Sequence, residues 1–129
     1  MSQKVVNVAV GIILRGAQTY ICKRPDDKHQ GGLWEFPGGK IEAGETTTAA
    51  LARELLEEVA IEVHSSDSFM LIEHDYGDKQ VRLDIHKVSD FSGEPHGAEG
   101  QQGEWVALND LHRYAFPKAN QAILEKLCS

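Results

Sequence analysis

The sequence predicts an α/β (α+β) domain, and three observations carry that prediction. Runs rich in β-branched residues recur along the chain, a central stretch changes to a helical period, and a second helical stretch closes the C-terminus. With 129 residues the chain has room for one substantial core, and it shows no repeat, linker or low-complexity tract. Residues 1–129 are therefore read as one domain.

Taken in order, Val5 to Leu14 reads as a long strand, ended by a turn at Arg15-Gly16-Ala17, and Tyr20 to Arg24 returns as a second strand. The apolar start, MSQKVVNVAVGIILRG, invites comparison with a signal peptide. It alternates and lacks a small-residue cleavage site, so it is read as a strand of a cytoplasmic protein. A polar loop, PDDKHQGGL, leads to the short apolar run WEF before Pro37. Gly38-Gly39-Lys40 reads as a glycine-rich turn, its glycines permitting unusual backbone angles and close approach to a ligand. Thr46 or Thr47 is placed to cap the helix that follows.

Beyond that helix, Phe69 to Asp75 and Gln80 to Val88 read as a hairpin about Tyr76-Gly77-Asp78-Lys79. Its second strand alternates Val81, Leu83 and Ile85 with Arg82, Asp84 and His86. A loop from Ser89 to Gly103 precedes a short strand at Glu104-Trp105-Val106. The last helix spans roughly Asn120 to Leu127, with Ala122, Ile123, Leu124 and Leu127 available to pack.

Chemistry concentrates between Gly38 and Ile61, in GGKIEAGETTTAALARELLEEVAI. At about 100° per residue, Glu54, Glu57 and Glu58 share one arc of the helix, and Ala49, Ala52, Leu55, Leu56 and Val59 share the opposite one. Like charges at this spacing repel by roughly 0.2–0.5 kcal/mol a pair, and Glu57 and Glu58 sit near the negative end of the helix dipole. A solvated acidic face with Arg53 as counter-ion is the commoner arrangement. A divalent cation is the alternative, because magnesium takes oxygen ligands and binds one or two carboxylates together with substrate phosphates.

Other side chains are ambiguous alone. Arg24, Lys28 and His29 lie between a strand end and the glycine-rich segment, within reach of a phosphate, yet such residues are ordinarily solvated or paired. The same holds for Lys40 and for Glu99 in its loop, while Phe36 has the ordinary role of core packing. The net charge of −7 gives no basic footprint for long nucleic acid, although a nucleotide carried with a cation remains compatible. Cys22 and Cys128 form no disulfide framework or zinc spacing, and the six histidines form no ligand pair.

Gly39, five residues, Glu45, seven residues, Arg53-Glu54-Leu55, one residue, Glu57-Glu58, one residue and Ala60-Ile61 together resemble the signature box of the Nudix family. One fixed position departs, since Ala60 stands where the family has a glycine that commonly ends the helix in a left-handed conformation. The likeness continues through VAVGII, WEFPGGKIEAGET, GEP with AEGQQGEW, and FPKAN before the last helix, and is nearest to the MutT branch, which removes oxidised guanine nucleotides.

The resemblance implies the Nudix fold, a mixed β-sheet sandwiched between helices with a loop-helix-loop catalytic box. It implies a metal site of Glu54, Glu57, Glu58 and Glu99 with a backbone carbonyl of Gly38 or Gly39, holding magnesium or manganese in its place. Glu54 is expected as general base, with Arg53 beside it and Glu57 in support, and Glu45 as a supporting residue. Phe36 and Asn120 would contact the base, and Arg24, His29 and Lys40 the phosphates or nearby atoms. The implied activity is hydrolysis of 8-oxo-dGTP to 8-oxo-dGMP and pyrophosphate by a monomer that engages no membrane. Alternatives are a Nudix pyrophosphohydrolase for CTP or 5-methyl-dCTP, and a non-catalytic nucleotide-binding module.

Overall fold

Strand β1 (Lys4–Arg15) organises the sheet. It pairs in parallel with β6 (Lys79–Ser92) along one edge, from Lys4 opposite Lys79 to Ile13 opposite Val88. Along the other edge its middle takes β4 (Gly38–Lys40) and its end takes β2 (Gln18–Lys23), both antiparallel. β2 also pairs with β3 (Trp34–Glu35) and β7 (Gly103–Ala107), and β5 (Glu62–Asp75) covers the outer edge of β6. The sheet is therefore mixed. The computed structural model describes residues 4–24 and 32–128, and among them no helix is long and apolar enough to cross a membrane.

The alternation of β1 makes a core on each face. Ala9 and Ile13 pack with Leu51, Leu55 and Val59 of helix α1 (Thr47–Val59), while Val10 and Ile12 pack with Phe36, Leu111, Phe116 and Ile123. That second layer comprises a 3₁₀ segment, Leu108–Arg113, a single 3₁₀ turn at Lys118–Asn120, and helix α2 (Gln121–Cys128). Leu51, Leu55, Val59 and Ile123 are completely buried, each contributing about 1.5–3 kcal/mol of apolar transfer. The mixed sheet between helical layers is the expected architecture.

Several local expectations change. Gly38-Gly39-Lys40 is a strand rather than a turn, with Val8, Ala9 and Val10 opposite Lys40, Gly39 and Gly38. A Cβ on Gly38 would lie 2.1 Å from the Ala9 carbonyl oxygen, so glycine is needed there for contact between strands. The packing arc of α1 is Ala50, Leu51, Leu55 and Val59, whereas Ala49 and Leu56 are exposed. Glu54 and Glu58 fall between Ala50 and Leu51 in helical angle, so they lie within the packed arc instead of opposing it.

β5 starts seven residues earlier than its apolar run, because pairing continues through the polar HSSDS segment by way of three register shifts. β6 likewise runs on to Ser92, and His86 is buried despite its place on the polar side of the alternation. Asp84 explains part of this, receiving a hydrogen bond from the Thr47 hydroxyl at 2.8 Å as α1 settles on the sheet. In α2, Ile123 is buried but Ala122 is exposed.

Candidate active site

The helix that carries the acidic residues begins on a defined cap. Thr46 has extended backbone angles and its hydroxyl accepts the N–H of Ala49 at 3.1 Å, satisfying a donor that has no partner within the helix. Arg53 then ties the first turns to their surroundings. Its Nε and Nη2 donate to the two carboxylate oxygens of Glu45 at 2.8 and 2.9 Å, and Nη2 also reaches the Lys40 carbonyl at 3.0 Å. These hydrogen bonds, with the N–H of Glu42, pull the Glu45 carboxyl down to about 2.

The same guanidinium donates through Nη1 to Glu54 Oε1 at 2.9 Å, while Glu57 stands 3.7 Å from it and half exposed. Arg53 thus fixes one oxygen of Glu54. A Cβ on Gly39 would lie 2.3 Å from Glu54 Oε2, so only glycine leaves room for this carboxylate against β4.

One turn on, Glu58 is held differently. The Gly38 N–H donates to its Oε2 at a long 3.4 Å, and burial, with the charges of Glu35, Glu54 and Glu99 around it, pushes its carboxyl up to about 8. Glu35 is itself raised by burial, against the pull of Arg24, whose Nη1 donates to it at 3.1 Å. Glu99 comes from an exposed loop into the same cavity.

That cavity, of about 500 Å³, has a mixed lining. Glu35, Glu54, Glu58 and Glu99 give it an acidic part beside Gly38 and Gly39, and Val8, Val10, Phe36 and Leu83 an apolar part, with Asn120, Arg24 and Lys40 also lining it. Phe36 is almost fully buried and stacks on Phe116 with ring centroids 5.3 Å apart, so it serves the core and the cavity together. Asn120 closes the 3₁₀ turn before α2, where its N–H donates to the Pro117 carbonyl at 2.9 Å.

Among the described residues no three acidic, histidine or cysteine side chains form a ready-made cage for a metal ion. The donor set nevertheless suits a hard cation that keeps its waters and shares its shell with substrate oxygens. It consists of carboxylate oxygens that repel one another, and the site of Glu54 exists only because Gly39 lacks a Cβ.

Of the residues singled out by sequence, Arg24, Phe36, Gly38, Gly39, Lys40, Glu54, Glu58, Glu99 and Asn120 line one cavity. Arg53 acts from behind it, Glu57 stands outside the lining, and His29 lies outside the described residues. Sequence reasoning passed over Glu35, His74 and Tyr76, which also line the cavity. A glutamate between Trp34 and Phe36, just before Pro37-Gly38-Gly39, was the available signal for the first.

The sequence matches the NUDIX domain family over residues 9–126. The 8-oxo-dGTP diphosphatase of Escherichia coli (strain K12) is 42% identical, over 96% of this chain and 97% of that protein. The 8-oxo-dGTP diphosphatase of Haemophilus influenzae is 37% identical over 98% and 94%, and the CTP pyrophosphohydrolase of Escherichia coli (strain K12) is 32% identical over 95% and 90%. A solved structure from work on MutT of Aliivibrio salmonicida and Vibrio cholerae superposes with a TM-score of 0.89 at 42% identity, covering 97% of this chain and 98% of that one.

Proposed function

The chain belongs to the Nudix domain family, and on that premise we propose that it hydrolyses 8-oxo-dGTP to 8-oxo-dGMP and pyrophosphate, with magnesium as its cation. The observation that carries the proposal is the meeting, in one cavity, of the carboxylates of Glu54, Glu58 and Glu99 with Phe36 and Asn120. The carboxylates suit a cation carried with a phosphate chain, and the apolar residues with Asn120 suit a flat base.

Nudix hydrolases use divalent metal ions, and when bound here such an ion neutralises phosphate oxygens and acidifies a water. Glu58 and Glu99, with a backbone carbonyl of Gly38 or Gly39, would hold it, with Glu57 on the outer side. Glu54 has one oxygen occupied by Arg53, which leaves the other to accept the proton of a water attacking the β-phosphorus. A new phosphorus–oxygen bond forms there as the bond to the α–β bridging oxygen breaks. The nucleoside monophosphate leaves with that oxygen.

Selection of the base follows from the Asn120 amide, which donates and accepts at once. Oxidised guanine presents a donor at ring position 7 beside the acceptor at position 6, whereas ordinary guanine presents two acceptors. The ordinary base would leave the amide oxygen unpaired, and such mismatches discriminate by up to roughly 10⁴–10⁵-fold.

Hydrolysis of 8-oxo-dGTP, dGTP, dCTP and 5-methyl-dCTP with magnesium, with the phosphate product identified, tests the reading. Preference for the oxidised nucleotide with release of pyrophosphate is expected. A pyrimidine as best substrate, in line with the likeness to a CTP pyrophosphohydrolase, would overturn the base assignment and leave the reaction class standing. Release of orthophosphate would overturn the site of attack.

A further inference from the structure

Helix α1 ends against the loop that carries Glu99, and the loop satisfies carbonyl groups that have no partner in the helix. The N–H of His96 donates to the carbonyl of Val59 at 3.1 Å, and the N–H of Ala98 to that of Glu58 at 3.0 Å. Gln101 adds a side-chain bridge. Its Nε2 donates to the same Glu58 carbonyl at 3.0 Å, and its Oε1 accepts the N–H of Glu99 at 3.1 Å.

The loop is shaped around that bridge. A Cβ on Gly97 would lie 1.8 Å from the Gln101 carbonyl oxygen, and the N–H of Gly100 donates to the Gly97 carbonyl at 3.0 Å. On the far side the Lys23 N–H donates to the Gln102 carbonyl at 2.8 Å, fixing the return of the chain to β2. Only an amide makes both of these bonds, since a carboxylate cannot donate and an apolar side chain can do neither; the same amide also meets the Cys22 thiol.

We propose that Gln101 is a positioning residue for the cation site, fixing the Glu99 backbone to that of Glu58 so that their carboxylates meet a divalent ion at a set separation. The inference rests on reading the acidic part of the cavity lining as that site. Glu99 is exposed on a loop whose backbone already meets α1 through Ala98 and His96, but its own N–H is held only by Gln101, and without that bond part of its ordering would be deferred to the moment of binding, at the expense of affinity. The position matters because Glu58 and Glu99 are 41 residues apart (99 − 58) and no strand or helix joins them directly.

The test uses the full chain without nucleotide and Mn²⁺ alone, titrated by electron paramagnetic resonance, in Gln101→Met, Gln101→Ala, Glu99→Gln and the double variant Glu99→Gln/Gln101→Met. Either substitution at Gln101 is expected to weaken Mn²⁺ binding by about 10-fold, the lower end of the 10–100-fold seen when groups supporting a ligand are lost. Turnover should need correspondingly more metal, while kcat at saturation stays within about threefold of wild type, because Glu54 is untouched. The double variant should bind Mn²⁺ no more weakly than Glu99→Gln alone, because the bridge acts through Glu99.

Wild-type Mn²⁺ affinity in both Gln101 variants would overturn the proposal, and so would losses that multiply in the double variant. If Glu99→Gln itself bound Mn²⁺ like wild type, the role of Glu99 in the cation site would fall along with that of Gln101. Metal-free melting temperatures confirm folding, and the smaller alanine serves where methionine does not fit.

Discussion

At its entrance α1 is held by complementary groups: Thr46 caps the first turn, and Arg53 engages both oxygens of Glu45. At its exit Ala60 is the residue forced into a left-handed conformation, φ 61° and ψ 34°, and Glu58 sits half-buried among Glu35, Glu54 and Glu99. The two ends face the same solvent and belong to one helix. The difference teaches where this fold places its charge: Glu45, at the entrance, already has its cation in Arg53, whereas Glu58, at the exit, has three carboxylates for neighbours and is proposed above to meet a divalent ion.

The comparison can be broken most forcefully at Glu54, which joins the two regimes through its bond to Arg53. Glu54→Gln should lower kcat by about 10²–10⁴-fold while nucleotide binding, measured by calorimetry, persists. A nearly wild-type rate would remove Glu54 as the base.

Glu58→Gln comes next. Its carboxyl is raised from an ordinary 4.5 to about 8, so between those values the folded, metal-free protein keeps a proton that the unfolded chain has released. Stability should therefore fall as pH rises from about 4.5 to about 8. Glu58→Gln should lessen that slope, leaving the part due to Glu35, which burial also raises, and should raise metal-free stability at pH 8 by on the order of 2 kcal/mol in urea melts, while weakening Mn²⁺ binding.

The entrance should show the opposite sign. Glu45 is held near 2, so its contribution is present above about 4.5 and is lost as pH falls toward 2, and Arg53→Met should flatten that acid limb in the same melts.

The smallest effects concern the two caps. Thr46→Ala should cost about 1 kcal/mol, because the Ala49 N–H loses its acceptor. Ala60→Gly should gain about 1 kcal/mol, because a left-handed residue with a Cβ is strained. Equal and opposite shifts in urea midpoint would sharpen the contrast between the ends.

Much of this was legible in the sequence for physical reasons. The helix, its cap and its run of glutamates follow from short-range spacing, and the alternating strands follow from their period of two. Ala60 was legible too, since it takes the left-handed angles that a glycine would have adopted freely. What misled was the assumption that charge faces outward. Glu54 and Glu58 lie within the packed arc, and Leu56 is 58% exposed, because the helix is rolled so that these carboxylates line a cavity. Glycines 38 and 39 read as a turn because sequence shows only that a side chain is missing; the close approaches of Ala9 and Glu54 that require its absence are tertiary. Glu35 was missed for a similar reason, since its importance comes from Glu58 and Arg24, each distant in the chain.

The central claim is that the acidic exit of α1 is built for a divalent cation. It is tested most directly by thermal melts at pH 5 and pH 8, with and without Mg²⁺, on the wild type and Glu58→Gln. A Mg²⁺-induced rise in Tm that is larger at pH 8 than at pH 5 in the wild type, and much reduced in Glu58→Gln, is the predicted result. An equal rise at both pH values, undiminished in the variant, would contradict it.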